Sequence, residues 1–502
     1  MFNLKFYNTI IKKTNVATIK SLFFILQADG YNTNFVKIEK VLGTKINTNV
    51  IGQFTKQNSD VDFTIDQNPL HSVKLVKVKK DKSFNIDYFR NYFAGLVKNL
   101  PADSTEELRI YLPLFNDYKE YFETEAYLIQ SIIEGCYYGN YNFDKYKSDK
   151  KKKKDLSISI IGEDSTLINS VLKNTSILME GVQFTRDLQN EPGNVLYPES
   201  LANRIKSQFK GTGVKVTILN EKEIQKRKMQ ALWSVGKGSA HLPRMIILEY
   251  SPLGKISKKR KKIALVGKGI TFDTGGISIK PADRMWEMKG DMSGAAVVSG
   301  IIYAAAKSKL DIELLGVIPA AENMLSSTAY KPGDIITASN GKSIEIDNTD
   351  AEGRVALADA LVFASNKKPD TIIDFATLTG ACVVALGEFV AGMFTHHKNS
   401  ADSLYKSGQK TFDRIWRLPI WEDYHSLNHS DFADVKNCGP RWGGAISAAK
   451  FLENFVSSEI PWVHLDIAGP SSPYKFNNYT SPYFTGFGVR LIYDYLSNEI
   501  SK

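Results

Sequence analysis

The spacing of apolar and polar positions divides the chain near residue 190. Beyond it, short apolar runs at 245–250, 263–266, 313–319, 371–375 and 463–467 alternate with longer mixed segments at 292–309, 352–365, 444–456 and 489–497. Runs that short read as buried strands, and the longer segments read as helices. Their alternation predicts a mostly parallel central sheet with helices on both faces. Asn340-Gly341, between runs at 335–338 and 343–346, predicts a two-residue hairpin inserted in that scheme. Ligand sites of such sheets lie at the C-terminal ends of strands.

The first 165 residues mix candidate strands at 16–27, 73–78, 108–112 and 156–161 with helical stretches at 86–97 and 121–135. They predict a smaller N-terminal α/β domain, and no set of polar residues in it suggests chemistry. Residues 166–190 read as one long helix, stopped by Asn190-Glu191-Pro192-Gly193. The expected organisation is therefore an N-terminal α/β domain over 1–165, a connecting helix over 166–190, and a larger C-terminal α/β domain over 191–502. No internal repeat is present.

Composition narrows the class. With 502 residues and 43% apolar positions, the chain can bury a large core without disulfides or structural zinc. Cys136, Cys382 and Cys438 are far apart and form no CxxC pair, which argues against a disulfide framework and favours a reducing compartment. No stretch reaches the ~20 apolar residues of a membrane span, and 294–306 reads as a buried helix. The net charge of +10 comes from two basic spans, 145–154 and 255–262, each contributing +6, so the rest of the chain nets −2. Such clusters read as solvated loops before nucleic-acid sites. Residues 1–28 contain no Asp or Glu but also no Arg. Transit peptides are typically Arg-rich, so a first strand and a cytoplasmic location are favoured over a mitochondrial one.

Four carboxylates stand at predicted strand ends and helix starts. Asp273 lies in a glycine-rich loop after run 263–266, together with Lys268, and Lys280 follows. That loop lacks the spacing of a phosphate-binding loop. Asp291 opens a Gly- and Ala-rich helix, where capping is the alternative explanation. Asp350, Glu352 and Arg354 open another; capping, the helix dipole and an Asp350–Arg354 pair would also account for them. Gly353 in its first turn is a poor helix former, which calls for close backbone approach. Four carboxylates brought together would raise one another's pKa values; two divalent cations ~3.5–4 Å apart remove the conflict. Beside cations Lys268 becomes a candidate neutral ligand, while Lys280 stays charged as an electrophile. His425 and His429 are four apart but lack the Glu of HExxH, and His396, His397 and His464 have no evident partners. No GxSxG motif is present.

The segments Val266-Gly-Lys-Gly-Ile-Thr-Phe-Asp-Thr-Gly-Gly-Ile-Ser-Ile-Lys280 and Asn348-Thr-Asp-Ala-Glu-Gly-Arg354 resemble the signatures of the leucyl aminopeptidase (cytosol aminopeptidase) family of dinuclear-metal peptidases. The second matches the family octapeptide except that Val355 replaces Leu. Lys331-Pro-Gly-Asp334, Ala376-Thr-Leu-Thr-Gly380, Arg441-Trp-Gly-Gly-Ala-Ile446 and His464-Leu-Asp-Ile-Ala-Gly469 continue the resemblance through the second half in the family's order.

The resemblance implies a catalytic C-terminal domain and an N-terminal domain serving assembly or regulation. It implies that Lys268, Asp273, Asp291 and Glu352 ligate a tightly held metal. Asp273, Asp350 and Glu352 ligate an exchangeable one. Lys280 and Arg354 become the catalytic cations, with bicarbonate held by Arg354, Gly353 and Leu378 as proton shuttle. Met288, Thr377, Leu378, Gly380 and Ala468 become substrate-binding residues. A position that is often Met in animal members corresponds to Ser471, which leaves the N-terminal residue preference open. The implied activity is release of N-terminal leucine and other apolar residues from peptides with a free N-terminus. The implied cofactors are Zn²⁺ or Mn²⁺, with Mg²⁺ or Co²⁺ as further options, and the implied assembly is a homohexamer. A non-catalytic, DNA-binding or structural member and a two-metal phosphoesterase are the competing readings.

Overall fold

The computed structural model describes residues 2–10, 17–26, 31–57, 59–67, 69–101, 105–149, 154–253, 260–472, 477–480 and 482–500. The chain forms two compact units, residues 1–176 with 477–479, and 177–476 with 480–502. The division falls inside the helix Ser165–Asn190, the long helix expected from the sequence.

The first unit is built on six strands: β1 (Phe2–Tyr7), β2 (Thr18–Leu26), β3 (Val61–Gln67), β4 (Leu70–Val78), β5 (Glu107–Tyr111) and β6 (Lys154–Ile161). Their order is β1-β6-β5-β2-β4-β3, parallel except for the β3–β4 hairpin. β2 occupies the expected first strand, while Val16 and Gln27 at its expected ends lie outside the described residues. The helices Tyr88–Lys98 and Glu125–Asn140 bury Phe89, Phe93, Leu128 and Ile132 in a core with Leu22, Leu108 and Ile158. Within it Arg90 is fully buried, with Nη1 2.5 Å from Asp87 and Nε 2.7 Å from Glu134.

The second unit carries a nine-stranded sheet. Its strands are β7 (Lys215–Leu219), β8 (Arg244–Tyr250), β9 (Lys262–Gly267), β10 (Gly269–Asp273), β11 (Glu313–Asn323), β14 (Thr371–Ala376), β15 (Ala391–Phe394), β16 (Ile415–Arg417) and β18 (Trp462–Asp466). A separate three-stranded sheet holds β12 (Ile335–Thr337), β13 (Ser343–Glu345) and β17 (Val435–Lys436). The large sheet runs β16-β15-β18-β14-β9-β11-β8-β7, with β10 added beside β11. Its centre, from β18 to β11, is parallel; β15–β18, β11–β8 and β8–β7 are antiparallel. Strand alternation sends Ala264 and Val266 of β9 into a core with the helix Glu352–Asn366, whose Val355, Ala356 and Leu357 are fully buried. On the opposite face Gly316 of β11 meets Val298 and Ile302 of the helix Ser293–Lys307. That helix is buried along nearly its whole length, as the run 294–306 required. Among the described residues no helix is long and apolar enough to cross a membrane.

Two local expectations change. The glycine-rich stretch after β9 is not a plain loop: β10 forms there, pairing in parallel with the last residues of β11. The hairpin at Asn340-Gly341 has a three-residue loop, because Ala338 and Lys342 are joined by a backbone bond (2.9 Å). Gly341, at φ 89°, closes it. Of the basic spans, residues 150–153 and 255–259 lie outside the described residues.

Candidate metal centre

Lys268 is the single residue between β9 and β10, and Asp273 ends β10 opposite Asn323 of β11. Gly275 and Gly276, at φ 86° and 65°, then reverse the chain. Lys280 N–H donates to the Thr274 carbonyl (2.9 Å), which closes this loop. Lys280 Nζ therefore comes back to 2.9 Å from Asp273 Oδ2 and also pairs with Asp350 Oδ1. Asn323 braces Asp273 from below, its Nδ2 donating to Asp273 Oδ1 (2.8 Å) and to the Thr349 carbonyl (3.0 Å).

The capping explanations do not hold. The helix Ser293–Lys307 has Met292 at its N-cap, and the helix Glu352–Asn366 has Ala351; neither receives a side-chain cap. Asp291 instead accepts from Thr377 Oγ1 (2.7 Å) and lies 2.8 Å from Lys268 Nζ. Lys268 Nζ is also 2.9 Å from Glu352 Oε1 and donates to the Thr377 carbonyl (3.0 Å). Arg354 does not pair with Asp350; its Nη1 donates to the Asn437 carbonyl (2.9 Å), and its buried Nε makes no hydrogen bond. The close approach at Gly353 is to Lys268, whose Cε would lie 2.3 Å from a β-carbon there.

These side chains suit a pair of divalent ions. Asp273, Asp350 and Glu352 each offer an oxygen, all within 4.8 Å of one another. Asp291 Oδ2, Asp350 Oδ1 and Glu352 Oε1 are buried and accept no hydrogen bond: the lysines touch them at ion-pair distance but not along hydrogen-bonding directions. Four carboxylates face two ammonium groups, an excess of two negative charges. Burial, the largest cause, pushes Asp273, Asp291 and Asp350 above the ordinary carboxylate range, and the neighbouring carboxylates add to it. Burial alone would lower Lys268 and Lys280, yet the surrounding carboxylates more than offset it and hold both above the usual lysine range. A neutral Lys268 amine thus requires cations beside it. An oxygen-rich donor set with one amine accommodates several divalent metals.

A second group, His396, Glu422 and Glu453, also brings ligand atoms together. Lys450 Nζ already neutralises it, at 2.9 Å from Glu422 and 2.6 Å from Glu453, with His396 Nε2 2.7 Å from Glu453. His425 and His429 are exposed. His464 is fully buried, its Nδ1 2.6 Å from Asp374 Oδ1, whose Oδ2 accepts from Trp462 Nε1 (2.7 Å).

One cavity of about 850 Å³ is lined by Lys268, Asp273, Lys280, Asp291 and Asp350 together with Met288, Thr377, Leu378, Gly380, Ala468 and Ser471. Glu352, Gly353 and Arg354 are not among its lining residues: they are buried in the first turn of their helix, with Gly353 against Lys268. Asn323, Asn437 and Asp466 also brace the site, and the sequence pattern did not single them out. Asn437 Oδ1 accepts from Asp347 N (2.8 Å) and Asn348 N (3.2 Å), which shapes the turn carrying Asp350. Asn323 ends a strand of the sheet, a position that could have drawn attention.

The sequence profile of the cytosol aminopeptidase family, catalytic domain, matches residues 183–493. This chain belongs to the cytosol aminopeptidase family. A probable cytosol aminopeptidase of Aquifex aeolicus is 46% identical over 435 residues, 86% of this chain and 85% of that protein. A tomato leucine aminopeptidase mutant superposes with a TM-score of 0.85 at 28% identity, covering 99% of this chain and 97% of that one. The bottromycin maturation enzyme BotP in complex with Mn gives a TM-score of 0.80 at 29% identity, covering 97% of this chain and 100% of that one. As a cytosol aminopeptidase the protein is a metal-dependent hydrolase that acts on peptides. Family membership leaves the phosphoesterase and non-catalytic readings without support.

Proposed function

We propose that the cavity releases N-terminal residues, leucine and other apolar ones preferred, from peptides with a free N-terminus. The observation that carries this reading is the single cavity in which five of the charged side chains meet an open pocket lined by Met288, Thr377, Gly380 and Ala468. Lys268, Asp273, Asp291 and Glu352 would hold one ion; Asp273, Asp350 and Glu352 would hold the other, Zn²⁺ or Mn²⁺ in each case. Bound there, the ions would supply Lewis acidity and an activated water at neutral pH.

The chain's own residues divide the remaining work. Lys280, held charged by its carboxylate neighbours, would polarise the scissile carbonyl and stabilise the oxyanion that develops on it. Thr377, Leu378, Gly380 and Ala468 would orient the first side chain. Arg354 suits an anion because its guanidinium is buried with Nε unpaired. Bicarbonate, if held by Arg354, Gly353 and Leu378, would supply a proton acceptor.

We further assign 191–502 as the catalytic domain, 166–190 as the connecting helix and 1–165 as an assembly or regulatory domain of a homohexamer. The naming of the curated relatives as cytosol aminopeptidases supports a cytoplasmic location. Hydrolysis of leucine-p-nitroanilide by the Mn²⁺-loaded protein tests the reading. Asp273→Ala and Glu352→Ala should abolish turnover while the protein stays folded, and wild-type-like turnover in either would reject it.

A further inference from the structure

Asp466 ends β18 with its side chain fully buried. Its oxygens hold two segments that line the cavity. Oδ1 accepts from Leu378 N (3.1 Å) in the turn after β14 and from Ala468 N (3.2 Å) in the turn after β18. Oδ2 accepts from Thr379 Oγ1 (2.6 Å), and that hydroxyl in turn caps the next helix by accepting from Cys382 N (3.0 Å). The segment after β18 also packs on the end of the helix Gly380–Leu386, since a β-carbon at Gly469 would come 2.3 Å from the Gly387 carbonyl. One carboxylate therefore ties the turn after β14 to the turn after β18, while its hydrogen bonds reach none of the proposed metal ligands.

We infer that Asp466 is a positioning residue that sets the width of the first side-chain pocket, and that discrimination between bulky and small N-terminal residues depends on it. This rests on the aminopeptidase reading of the cavity. A methyl side chain makes few contacts with either wall, whereas an isobutyl group needs both at the right separation. Releasing the walls thus penalises leucyl substrates more than alanyl ones, within the ~10–200-fold range a pocket commands for small changes in apolar size.

The test uses the full-length Mn²⁺-loaded protein with leucine- and alanine-p-nitroanilide, and reads kcat/KM for each beside the bound Mn²⁺ content. Asp466→Ala should lower the leucyl-to-alanyl ratio about tenfold with unchanged Mn²⁺ content. Asp466→Asn, whose carboxamide oxygen can still accept from the Leu378 and Ala468 amides, should keep the ratio close to wild type. Thr379→Val, which removes the donation to Asp466 together with the cap on Cys382 N, should lower it to an intermediate value; Thr379→Ser, which keeps both bonds, should hold it at wild type, and the pair decides the matter if Asp466→Ala does not fold. An unchanged ratio in Asp466→Ala, or in Thr379→Val where it stands in, overturns the inference. So does an equal loss on both substrates, which marks a merely structural role. If the wild-type protein cleaves neither substrate, the reading of the cavity fails before any variant is compared.

Discussion

Lys268 lies across Gly353 so closely that a β-carbon at residue 353 would sit 2.3 Å from Lys268 Cε and 2.5 Å from Nζ. A glycine in the first turn of a helix costs about 1 kcal/mol relative to alanine. Here that cost allows the amine to reach Asp291 and Glu352 together. Gly353→Ala should therefore forfeit the gain expected from propensity and lower kcat/KM by about 100-fold, since a shift of ~1 Å in a reacting group costs that much. Steady-state kinetics and thermal melts on the same preparation check both halves of the prediction.

The excess of two negative charges should make folding respond to metal. At a free Mn²⁺ concentration 100 times its Kd, a site stabilises the folded state by about 2.7 kcal/mol. Chelation should lower the melting temperature of the wild-type protein, and Mn²⁺ should restore it. Asp350→Asn removes one proposed ligand and should reduce the Mn²⁺-induced shift, as read by differential scanning calorimetry.

Asp374 and His464 form a buried pair between β14 and β18, and Trp462 donates to the same carboxylate. Removing one partner of a buried charged pair costs about 3–5 kcal/mol. Asp374→Ala should destabilise the catalytic unit by that order in urea titrations, more than truncation of an exposed acid such as Asp431.

Asp359 supplies a pH-dependent contribution. Its carboxylate accepts from Leu232 N (2.9 Å) and Ser339 N (2.8 Å), yet burial pushes its pKa up to about 6 from an ordinary 3.8. The folded state thus holds this proton more tightly than the unfolded chain does. The associated stability is fully present below about pH 4 and is lost as pH rises through about 6, a change of about 3 kcal/mol. Asp359→Asn should flatten that part of the profile: between pH 4 and 7 it should lose less stability than the wild type, measured by denaturant titration at each pH.

Much of this site was legible in the chain because its polar residues interrupt an otherwise apolar rhythm. Asp273, Asp350 and Glu352 stand where strands end and helices begin, and Gly353 is a helix former's poor choice in a first turn. Non-local pairing was not legible. β10 is five residues long and begins with glycine, and it forms only because β11 continues past Pro319 to Asn323, a continuation that the proline masks in a local reading. Asp291 and Asp350 look like helix caps until their partners, Thr377 and Lys280, are brought in from distant segments. The bonds of Asp466 to Leu378 and Thr379 likewise span 88 and 87 residues, which no local pattern encodes.

Lys268, Asp273, Asp291, Asp350 and Glu352 should together hold one twin-ion centre. Anomalous diffraction from crystals grown with Mn²⁺ tests it most directly. Two peaks ~3.5–4 Å apart are expected, one bounded by Lys268 and Asp291 and the other by Asp350, with Asp273 and Glu352 between them. A map with a single peak, or with Mn²⁺ only at other residues, would contradict it.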